Sequence, residues 1–415
     1  MPGKALLSRS RPSLRRALVT TVVGGAALQA AILIVLGIVA WLQRRGQPQG
    51  FPHAQFPPTR VGENDLRIYS YGRELYDAML AAIDAAQETI YLETFIWKGD
   101  AVGQAFKEHL ARKAQQGVAV HVIFDSFANL VVPRAFKRFP PPIKVLDYRP
   151  IRRPWHLLDP RRYALDHRKL LVVDGRVAFI GGYNLGSLYA TAWRDTHVRL
   201  EGPVAADLAF EFSSFWNDHG PPSVRITRHY PRRFDPLILL QGNDAMRLAF
   251  PVRDMYISAI ERAEQRIRLT NAYFVPDRVL LRSLIAAAGR GVDVQVLLPW
   301  ISNHTLPDWL ARGRFTRCLE AGIRIFAYRT MIHAKTCTID GQWSTIGTAN
   351  LDRLSAVGNY EINLEVYSPD LARQMEDLFA QDKENAVEIT LERWVRRPWY
   401  AKLSERLLAP LGVFG

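Results

Sequence analysis

Two closely similar stretches carry the residues best suited to chemistry. HRKLLVVDGRVAFIGGYN runs from His167 to Asn184, and HAKTCTIDGQWSTIGTAN runs from His333 to Asn350. An imidazole can attack a substrate or transfer a proton near neutral pH, and a neighbouring ammonium group can stabilise negative charge. A lone histidine of this kind is more often a solvated strand residue or a satisfied core residue. The recurrence of the whole set favours an active site instead.

The residues around each histidine recur at matching offsets. Lys169 and Lys335 lie two positions after the histidines, and Asp195 and Glu361 lie at the same later offset in the two copies. A carboxylate that accepts a hydrogen bond from one imidazole nitrogen fixes the tautomer and orients the other nitrogen. The sequence therefore predicts two sets, each with a histidine, a lysine and an orienting acid.

Each stretch also has the pattern of a β-hairpin. Asp174-Gly175 and Asp340-Gly341 are dipeptides typical of tight turns, and an aspartate in a turn has local hydrogen bonds to make. Side chains alternate along a strand, so the histidine and lysine of each pair share a face. A two-residue turn would put Gly182 opposite His167. Four small residues at this position predict room for a substrate close to the backbone: Gly181, Gly182, Gly347 and Thr348.

The elements that must position these residues follow an α/β pattern that occurs twice. The first half predicts a strand, a helix and a strand at Thr89–Trp97, Ala101–Gly117 and Val118–Phe124. The second half repeats this order at Arg266–Val275, Val279–Gly291 and Val292–Leu298. Even the ends agree, as QQGVAVHVIF and GRGVDVQVLL. The pattern indicates an internal duplication.

The motifs HRKLLVVD...GGYN and HAKTCTID...GTAN resemble the H-x-K-x4-D motifs of the phospholipase D superfamily. The resemblance implies two α/β/α sandwiches that pack as a pseudo-dimer, with both motifs at one active site. It implies that His167 attacks phosphorus to give a phosphohistidine, while His333 is the general acid and base. Asp195 and Glu361 would orient His167 and His333 respectively, each within its own half.

The other motif residues are assigned by the same resemblance. No metal and no other cofactor is expected, because protein cations stabilise the transition state. The groups expected to bind the phosphate oxygens are Lys169, Lys335, Asn184 and Asn350. Asp174 and Asp340 complete the catalytic motifs, although their turn position favours a structural role.

Within the superfamily, the chain looks most like bacterial cardiolipin synthases, through phrases such as DHRKLLVVDG, FIGGYN and NLDRLSAVGNYEINLEV. The resemblance implies a phosphatidyltransferase that joins phosphatidylglycerol to a second phospholipid. Two alternatives stay open: a hydrolase of the same fold acting on lipid or nucleic acid, and an interaction protein without catalysis. The expected partners are phospholipids and a membrane rather than nucleic acid, and the oligomeric state stays open.

The ends of the chain indicate a membrane protein. The chain has 415 residues and a formal charge of +14. Residues 17–42 carry no charge and are long enough to cross a bilayer as one helix. More basic residues precede this stretch than closely follow it, which predicts a cytoplasmic N-terminus. We therefore expect a single-pass protein of the bacterial inner membrane, with its catalytic body on the non-cytoplasmic face.

The predicted organisation has six segments. They are a basic tail (1–16), a transmembrane helix (17–42), a Pro/Gly linker (43–60), two phospholipase D-like halves (61–225 and 226–384) and an amphipathic tail (385–415). The last segment interleaves aromatic and basic residues, and it either lies at a lipid interface or docks on the body. An arginine-rich stretch at 149–162 is either a phosphate-binding loop at the cleft mouth or a solvated loop. The two cysteines, Cys318 and Cys337, form no metal-ligand cluster.

Overall fold

The computed structural model describes residues 50–228 and 230–408, and before them residues 23, 24, 27, 29–32, 34–39, 41 and 42, which are helical. In this described part of the chain, no helix is long and apolar enough to span a membrane. The predicted tail at 1–16 lies outside the described residues, and the predicted transmembrane helix at 17–42 lies partly outside them. The linker predicted at 43–60 is described from residue 50, and its last two residues begin the first strand, Thr59–Val61.

The first half is built on an eight-stranded mixed sheet with the order β1-β2-β8-β7-β6-β3-β4-β5. Its strands are β1 (Thr59–Val61), β2 (Asn64–Tyr69), β3 (Thr89–Thr94), β4 (Ala119–Asp125), β5 (Lys144–Tyr148), β6 (Leu170–Val173), β7 (Val177–Gly181) and β8 (His197–Glu201). The central strand β3 is buried at every position, since it has neighbours on both sides and helices on both faces. It pairs in parallel with β4 and antiparallel with β6.

The second half repeats this sheet with the order β16-β12-β11-β10-β13-β14-β15-β9. Its strands are β9 (Ile238–Gly242), β10 (Arg266–Asn271), β11 (Asp293–Pro299), β12 (Arg324–Tyr328), β13 (Lys335–Ile339), β14 (Trp343–Gly347), β15 (Ile362–Tyr367) and β16 (Ala386–Ile389). The run from β5 to β2 in the first sheet corresponds strand by strand to the run from β12 to β9 in the second. The predicted duplication is thus confirmed. Strand β16 lies past residue 384, the predicted end of the second half.

Helices cover both faces of each sheet. The α-helices are α1 (Gly72–Ala85), α2 (Ala101–Gln115), α3 (Ser187–Thr191), α4 (Val204–His219), α5 (Pro251–Arg262), α6 (Arg278–Gly289), α7 (Thr305–Glu320), α8 (Arg353–Val357), α9 (Pro369–Glu384), α10 (Leu391–Val395) and α11 (Trp399–Leu408). Side chains cap the helices that follow β3 and β10: Asp100 accepts from the Gly103 N–H, and Asp277 accepts from the N–H groups of Val279 and Leu280. Short 3-10 helices lie at Pro154–Leu158, Pro160–Tyr163 and Pro222–Val224.

The halves share a core between the two sheets. One buried cluster joins Phe212 and Trp216 of α4 to Met375 of α9, together with side chains of both sheets such as Leu200 and Ile362. Phe212 is fully buried, and burial of a side chain of its size contributes roughly 1.5–3 kcal/mol. Separate clusters lie under the outer helices of each half. The two halves therefore pack as α/β/α sandwiches in one pseudo-dimer, as expected.

Candidate active site

Two equivalent hairpins carry the histidine motifs, β6–β7 in the first half and β13–β14 in the second. Their turns place Asp174 at φ 52° and Asp340 at φ 55°, each followed by a glycine of positive φ. Val173 pairs with Val177, so three residues connect the strands instead of two. The predicted register, with Gly182 opposite His167, is therefore wrong by one position.

The turn aspartates bind backbone rather than the histidines. Asp174 accepts hydrogen bonds of 2.7–2.8 Å from three N–H groups, those of Gln87, Glu88 and Thr89. Asp340 accepts the equivalent three bonds, of 2.8–2.9 Å, from Glu264, Gln265 and Arg266. Each carboxylate ties its hairpin to the start of the neighbouring central strand. These contacts correct the inclusion of both aspartates among catalytic residues and agree with the structural role that the turn position favours.

Each histidine is oriented by a carboxylate from the opposite half. His167 Nδ1 lies 3.0 Å from both Oε1 and Oε2 of Glu361. His333 Nδ1 lies 2.6 Å from Oδ2 of Asp195. The expectation that Asp195 orients His167 and Glu361 orients His333 is therefore wrong, although the four residues do meet. All four are buried.

Backbone bonds between the halves fix this crossed pairing. The His167 N–H donates to the carbonyl of Tyr360 at 3.0 Å, and the His333 N–H donates to the carbonyl of Arg194 at 2.6 Å. Each of these carbonyls belongs to the residue just before an orienting carboxylate. The two bridges occupy equivalent positions in the two halves, so the site follows the approximate two-fold symmetry of the fold.

The two motif lysines are buried at the same site. Lys169 Nζ donates to the carbonyl of His167 at 2.6 Å, and Lys335 Nζ donates to the carbonyl of His333. Burial lowers the pKa of Lys169 to about 7 and that of Lys335 to about 8. The carboxylates of Asp195 and Glu361 oppose this effect in both lysines. The site thus concentrates two cationic groups where little water can solvate them.

The imidazoles respond to the same environment. Burial, followed by the charges of Lys169 and Lys335, lowers the pKa of His167 well below its usual value. Burial and Lys335 lower the pKa of His333 to about 3. Both imidazoles are therefore neutral in the free site at neutral pH. A bound phosphodiester anion would offset the lysine charges and raise both histidine pKa values.

The two orienting carboxylates differ in charge. Burial raises the pKa of Glu361 to about 8. Burial alone would raise the pKa of Asp195 too, but Lys335 and His333 outweigh it, and that pKa is lowered. At neutral pH Asp195 is ionised while Glu361 is held largely protonated. The symmetric backbone therefore carries an electrostatic asymmetry.

The small residues of the hairpins serve these carboxylates. A Cβ at Gly182 would lie 2.1 Å from Oδ1 of Asp195, so the absent side chain gives room to the carboxylate rather than to a substrate. At the equivalent position Thr348 Oγ1 donates to Glu361 Oε2 at 2.6 Å. The expectation of open space at these two positions is wrong. Thr348 was predicted only as a small residue that leaves space, and its role as a hydrogen-bond donor to Glu361 was missed.

The two motif asparagines, Asn184 and Asn350, are buried but differ in their contacts. Asn184 Oδ1 accepts from the Ile96 N–H at 3.1 Å. Asn350 Oδ1 has no hydrogen-bond partner among the residues that the structure describes. Such an uncommitted buried polar atom is unusual and suits a ligand-binding role.

Three further groups around the histidines were not predicted. Arg168, between His167 and Lys169, donates to buried Glu93 at 2.5 Å. Arg194 forms a buried two-point ion pair with Asp382, with distances of 2.8 and 2.7 Å. Aromatic rings also contact the imidazoles: Phe95 lies 4.8 Å from His167, and Trp193 and Tyr273 lie 5.3 and 6.1 Å from His333, between ring centroids.

The loops next to the first histidine expose apolar side chains. The Asp166 N–H donates to Oδ2 of Asp125, which brings the loop after β4 beside the motif. That loop exposes Phe127, Leu130 and Val131, the last at 83%. The segment before the motif exposes further large apolar residues: Trp155, Leu157, Leu158 and Tyr163.

The arginines of this second segment are largely held by neighbours. Arg149 pairs with Asp147, and Arg161 pairs with Asp159. Arg152 donates to the carbonyl of His219 at 2.7 Å. Exposed apolar side chains thus lie among these arginines beside the site.

Comparison with known proteins gives concordant matches. A protein family described as "Cardiolipin synthase, PLD-like domain" matches residues 79–216 and 256–383, each of which contains one histidine motif. A cardiolipin synthase of Listeria monocytogenes serotype 4b is 30% identical over 379 residues, covering 84% of this chain and 76% of that protein. A cardiolipin synthase of Staphylococcus aureus strain Mu50 is 29% identical over 372 residues, with 84% and 74% covered.

A solved structure shares the whole fold. Phosphatidylserine synthase from Haemophilus influenzae Rd KW20 superposes with a TM-score of 0.64, covering 90% of this chain and 96% of that one. Sequence identity is 14%, so the similarity concerns the fold alone.

Proposed function

The chain belongs to the cardiolipin synthase family of phospholipase D-like proteins and is an enzyme of the phosphatidyltransferase class, and from this premise we propose that it makes cardiolipin. Phosphatidylglycerol is the proposed donor, and the hydroxyl of a second phospholipid is the proposed acceptor. The observation that carries the proposal is the pair of buried histidines, each oriented by a carboxylate of the opposite half. One half alone would hold only one histidine and would lack that histidine's orienting acid.

The proposed reaction has two steps with one proton transferred in each. Nε2 of His167 attacks phosphorus while His333 donates a proton to the departing glycerol oxygen, which leaves a phosphatidyl group on His167. The acceptor hydroxyl then gives its proton to His333 and attacks the same phosphorus. His167 departs unchanged, and a new phosphodiester remains. Phosphate charge next to the lysines would allow His333 to carry the proton that it lacks in the free site.

The electrostatic asymmetry supports this assignment of roles. An ionised carboxylate stabilises an imidazolium, and Asp195 is the ionised partner of His333. Glu361 has a pKa raised to about 8 by burial and gives its partner less charge stabilisation. The ionised partner therefore favours His333 as the general acid and base, and the proposal assigns the nucleophile to His167.

The remaining site groups have binding roles in this proposal. Lys169 and Lys335 would neutralise the nonbridging phosphate oxygens, with the carboxamides of Asn184 and Asn350 adding hydrogen bonds. Both lysines are buried, so their charges act at a low local dielectric. No metal or other cofactor is part of the proposed mechanism. Among the described residues no three His, Cys, Asp or Glu side chains lie close enough to hold a metal ion.

The loops beside the site favour a lipid substrate over nucleic acid. A nucleic-acid groove would pair stacking aromatics with free cations along a strand path. Here Arg149 and Arg161 are paired with aspartates, while side chains such as Val131 and Leu158, the latter 87% exposed, face solvent. Exposed apolar groups of this size suit the surface of a bilayer. The second candidate is a phospholipase D-type phosphodiesterase of lipids, in which water replaces the lipid acceptor.

We also propose the topology that the sequence predicts. A single helix at 17–42 would anchor the chain in the bacterial inner membrane, with the basic tail at 1–16 in the cytoplasm. A linker at 43–60 would lead to the two halves at 61–225 and 226–384, on the non-cytoplasmic face. A reporter fused to the C-terminus tests this, and a reporter active only in the cytoplasm would contradict it.

Product analysis tests the proposed activity. Purified full-length protein is incubated with vesicles containing labelled phosphatidylglycerol, without added divalent metal, and the lipids are separated. The proposal predicts cardiolipin and free glycerol in equal amounts. Phosphatidic acid as the sole lipid product would support the hydrolase, and activity that a chelator abolishes and one metal restores would contradict the proposed chemistry.

A further inference from the structure

A cavity of about 370 Å³ lies between α7 and the two C-terminal helices. Its walls include Trp309 and Arg314 of α7, Trp394 of α10 and Lys402 and Arg406 of α11. None of the residues that line it belongs to the histidine site. The proposed reaction therefore leaves this cavity without a role.

The cavity carries an excess of positive charge. Four cationic side chains and one carboxylate line it, and the carboxylate of Glu405 is paired with Arg397 at 2.5 Å. Lys402 Nζ is held by the carbonyl of Val395. Arg314 Nε is buried and has no hydrogen-bond partner among the described residues, and Arg406 is exposed. These two guanidinium groups are the candidates to bind an anion, since guanidinium groups bind phosphate oxygens well.

The walls of the cavity are held in place. Arg397 lies over the Trp394 ring, 3.1 Å from its centroid, and donates to the Trp394 carbonyl. Trp394 Nε1 donates to Thr316 Oγ1 at 3.1 Å, and its ring packs on Phe315. The cavity is therefore a formed feature of the docked C-terminal helices, and an incoming ligand would need little rearrangement.

The surroundings of the cavity are apolar and aromatic. On α11, Trp399 is 73% exposed and Tyr400 is 62% exposed. Leu403 of the same helix and Val395 of α10 are also exposed. A cationic cavity bordered by exposed tryptophan, tyrosine and aliphatic groups matches the chemistry of a lipid head group joined to acyl chains.

We propose that this cavity binds the head-group phosphate of an anionic phospholipid, as a second lipid site separate from the histidines. Arg314 and Arg406 would bind the phosphate oxygens, and the acyl chains would pass along the exposed face of α11. The lipid held there is not a substrate of the proposed reaction, because neither His167 nor His333 lines the cavity. The choice of lipid rests on the proposed function, but the phosphate site itself does not.

Lipid binding to a catalytically inactive chain tests the proposal independently of turnover. Full-length His167→Ala/His333→Ala protein in neutral detergent is titrated with phosphatidylglycerol, and bound lipids are counted by native mass spectrometry. The same titration is repeated with Arg314→Gln/Arg406→Gln added. A matched control adds Arg176→Gln/Arg262→Gln, which removes two exposed arginines outside the cavity. Phosphatidylcholine and glycerol 3-phosphate serve as comparison ligands.

The proposal predicts one phosphatidylglycerol beyond any held at the histidine site, with at least tenfold weaker binding after the cavity substitutions and no change in the control. The proposal would be overturned if the cavity variant still binds the second lipid, or if the cavity variant and the control lose it equally. Equal binding of phosphatidylcholine would rule out recognition of net charge, and comparable binding of glycerol 3-phosphate would replace the lipid with free phosphate. If the cavity variant unfolds, a photoreactive phosphatidylglycerol decides the question by cross-linking to residues 309–316 or 394–406, or to neither.

Discussion

The crossed pairing of histidines and carboxylates predicts that Asp195→Asn and Glu361→Gln impair different steps. Asp195 lies 2.6 Å from His333 and is ionised, so replacing its carboxylate with the amide of asparagine removes a buried charge-assisted hydrogen bond. Such a bond contributes about 1.5–3 kcal/mol, which corresponds to roughly a 10- to 150-fold loss of rate. Glu361, with a pKa raised to about 8 by burial, is already largely neutral. The Glu361→Gln substitution should therefore lower the rate less, by no more than about tenfold.

The assay compares two donors that differ only in the leaving group. One is phosphatidylglycerol, whose glycerol must be protonated as it departs. The other is a phosphatidyl nitrophenol, whose phenolate departs without a proton. Since Asp195 acts through His333, the first turnover of Asp195→Asn should recover to within about threefold of wild type on the nitrophenyl donor. Glu361→Gln acts on the nucleophile and should show the same loss on both donors.

The opposite pattern would refute the pairing of Asp195 with the proton-transferring histidine and of Glu361 with the nucleophile. Asp195→Asn would then be equally slow with both donors, and Glu361→Gln would recover with the nitrophenyl donor. Asp377→Asn, an exposed carboxylate on α9, is the matched control and should behave as wild type with both. Thermal unfolding of each variant separates lost chemistry from lost folding.

Three further predictions follow from the geometry of the site. The kcat/KM for phosphatidylglycerol should fall as the pH rises through about 7 to about 8. Burial lowers the pKa of Lys169 to about 7 and that of Lys335 to about 8, and their deprotonation removes the charge that binds phosphate. A kcat/KM that stays constant over this pH range would contradict this. Asp174→Ala should lower the free energy of unfolding by about 2–3 kcal/mol in urea, because three backbone N–H groups lose their acceptor, while kcat changes by less than about twofold. Gly182→Ala places a methyl group 2.1 Å from an orienting carboxylate oxygen and should lower turnover by at least about tenfold. Gly289→Ala, with no atom within 4 Å of the new methyl group, is its control, and equal turnover in the two variants would refute the close approach.

Much of the fold could be predicted because the sequence repeats its own pattern. The strand, helix and strand at Thr89–Thr94, Ala101–Gln115 and Ala119–Asp125 lie within the predicted stretches or extend one residue past them. The first of these strands ends three residues earlier than predicted. Phe95 leaves the sheet there, and its ring contacts His167. A run of apolar residues does not distinguish a strand residue from one that packs against the active site.

The partners of the histidines could not be deduced from spacing. Because the two halves are related by duplication, a within-half pair and a crossed pair use the same four residues, and only packing between the halves separates the alternatives. The backbone bonds from His167 to Tyr360 and from His333 to Arg194 connect residues far apart in the chain. Sequence offsets carry no information about such contacts.

The length of the hairpin turns and the strand β16 could not be predicted from the sequence. The hairpin turns connect their strands with three residues, and a shift of one position reassigns every facing pair. Strand β16 adds to the edge of the second sheet after Glu384, where the sequence resembles the start of an amphipathic tail. Short edge strands have few buried positions and give a weak pattern.

The central claim is that His167 takes up the phosphatidyl group and His333 moves the protons. The most direct test is to treat His333→Ala and His167→Ala with the phosphatidyl nitrophenol and to map any covalent adduct by mass spectrometry. Without His333 the nucleophile can still expel a leaving group that needs no proton, but it lacks the base that activates the acceptor. We expect a phosphatidyl adduct on His167 in the first variant and none in the second. An adduct on His333 in the His167→Ala variant would contradict it.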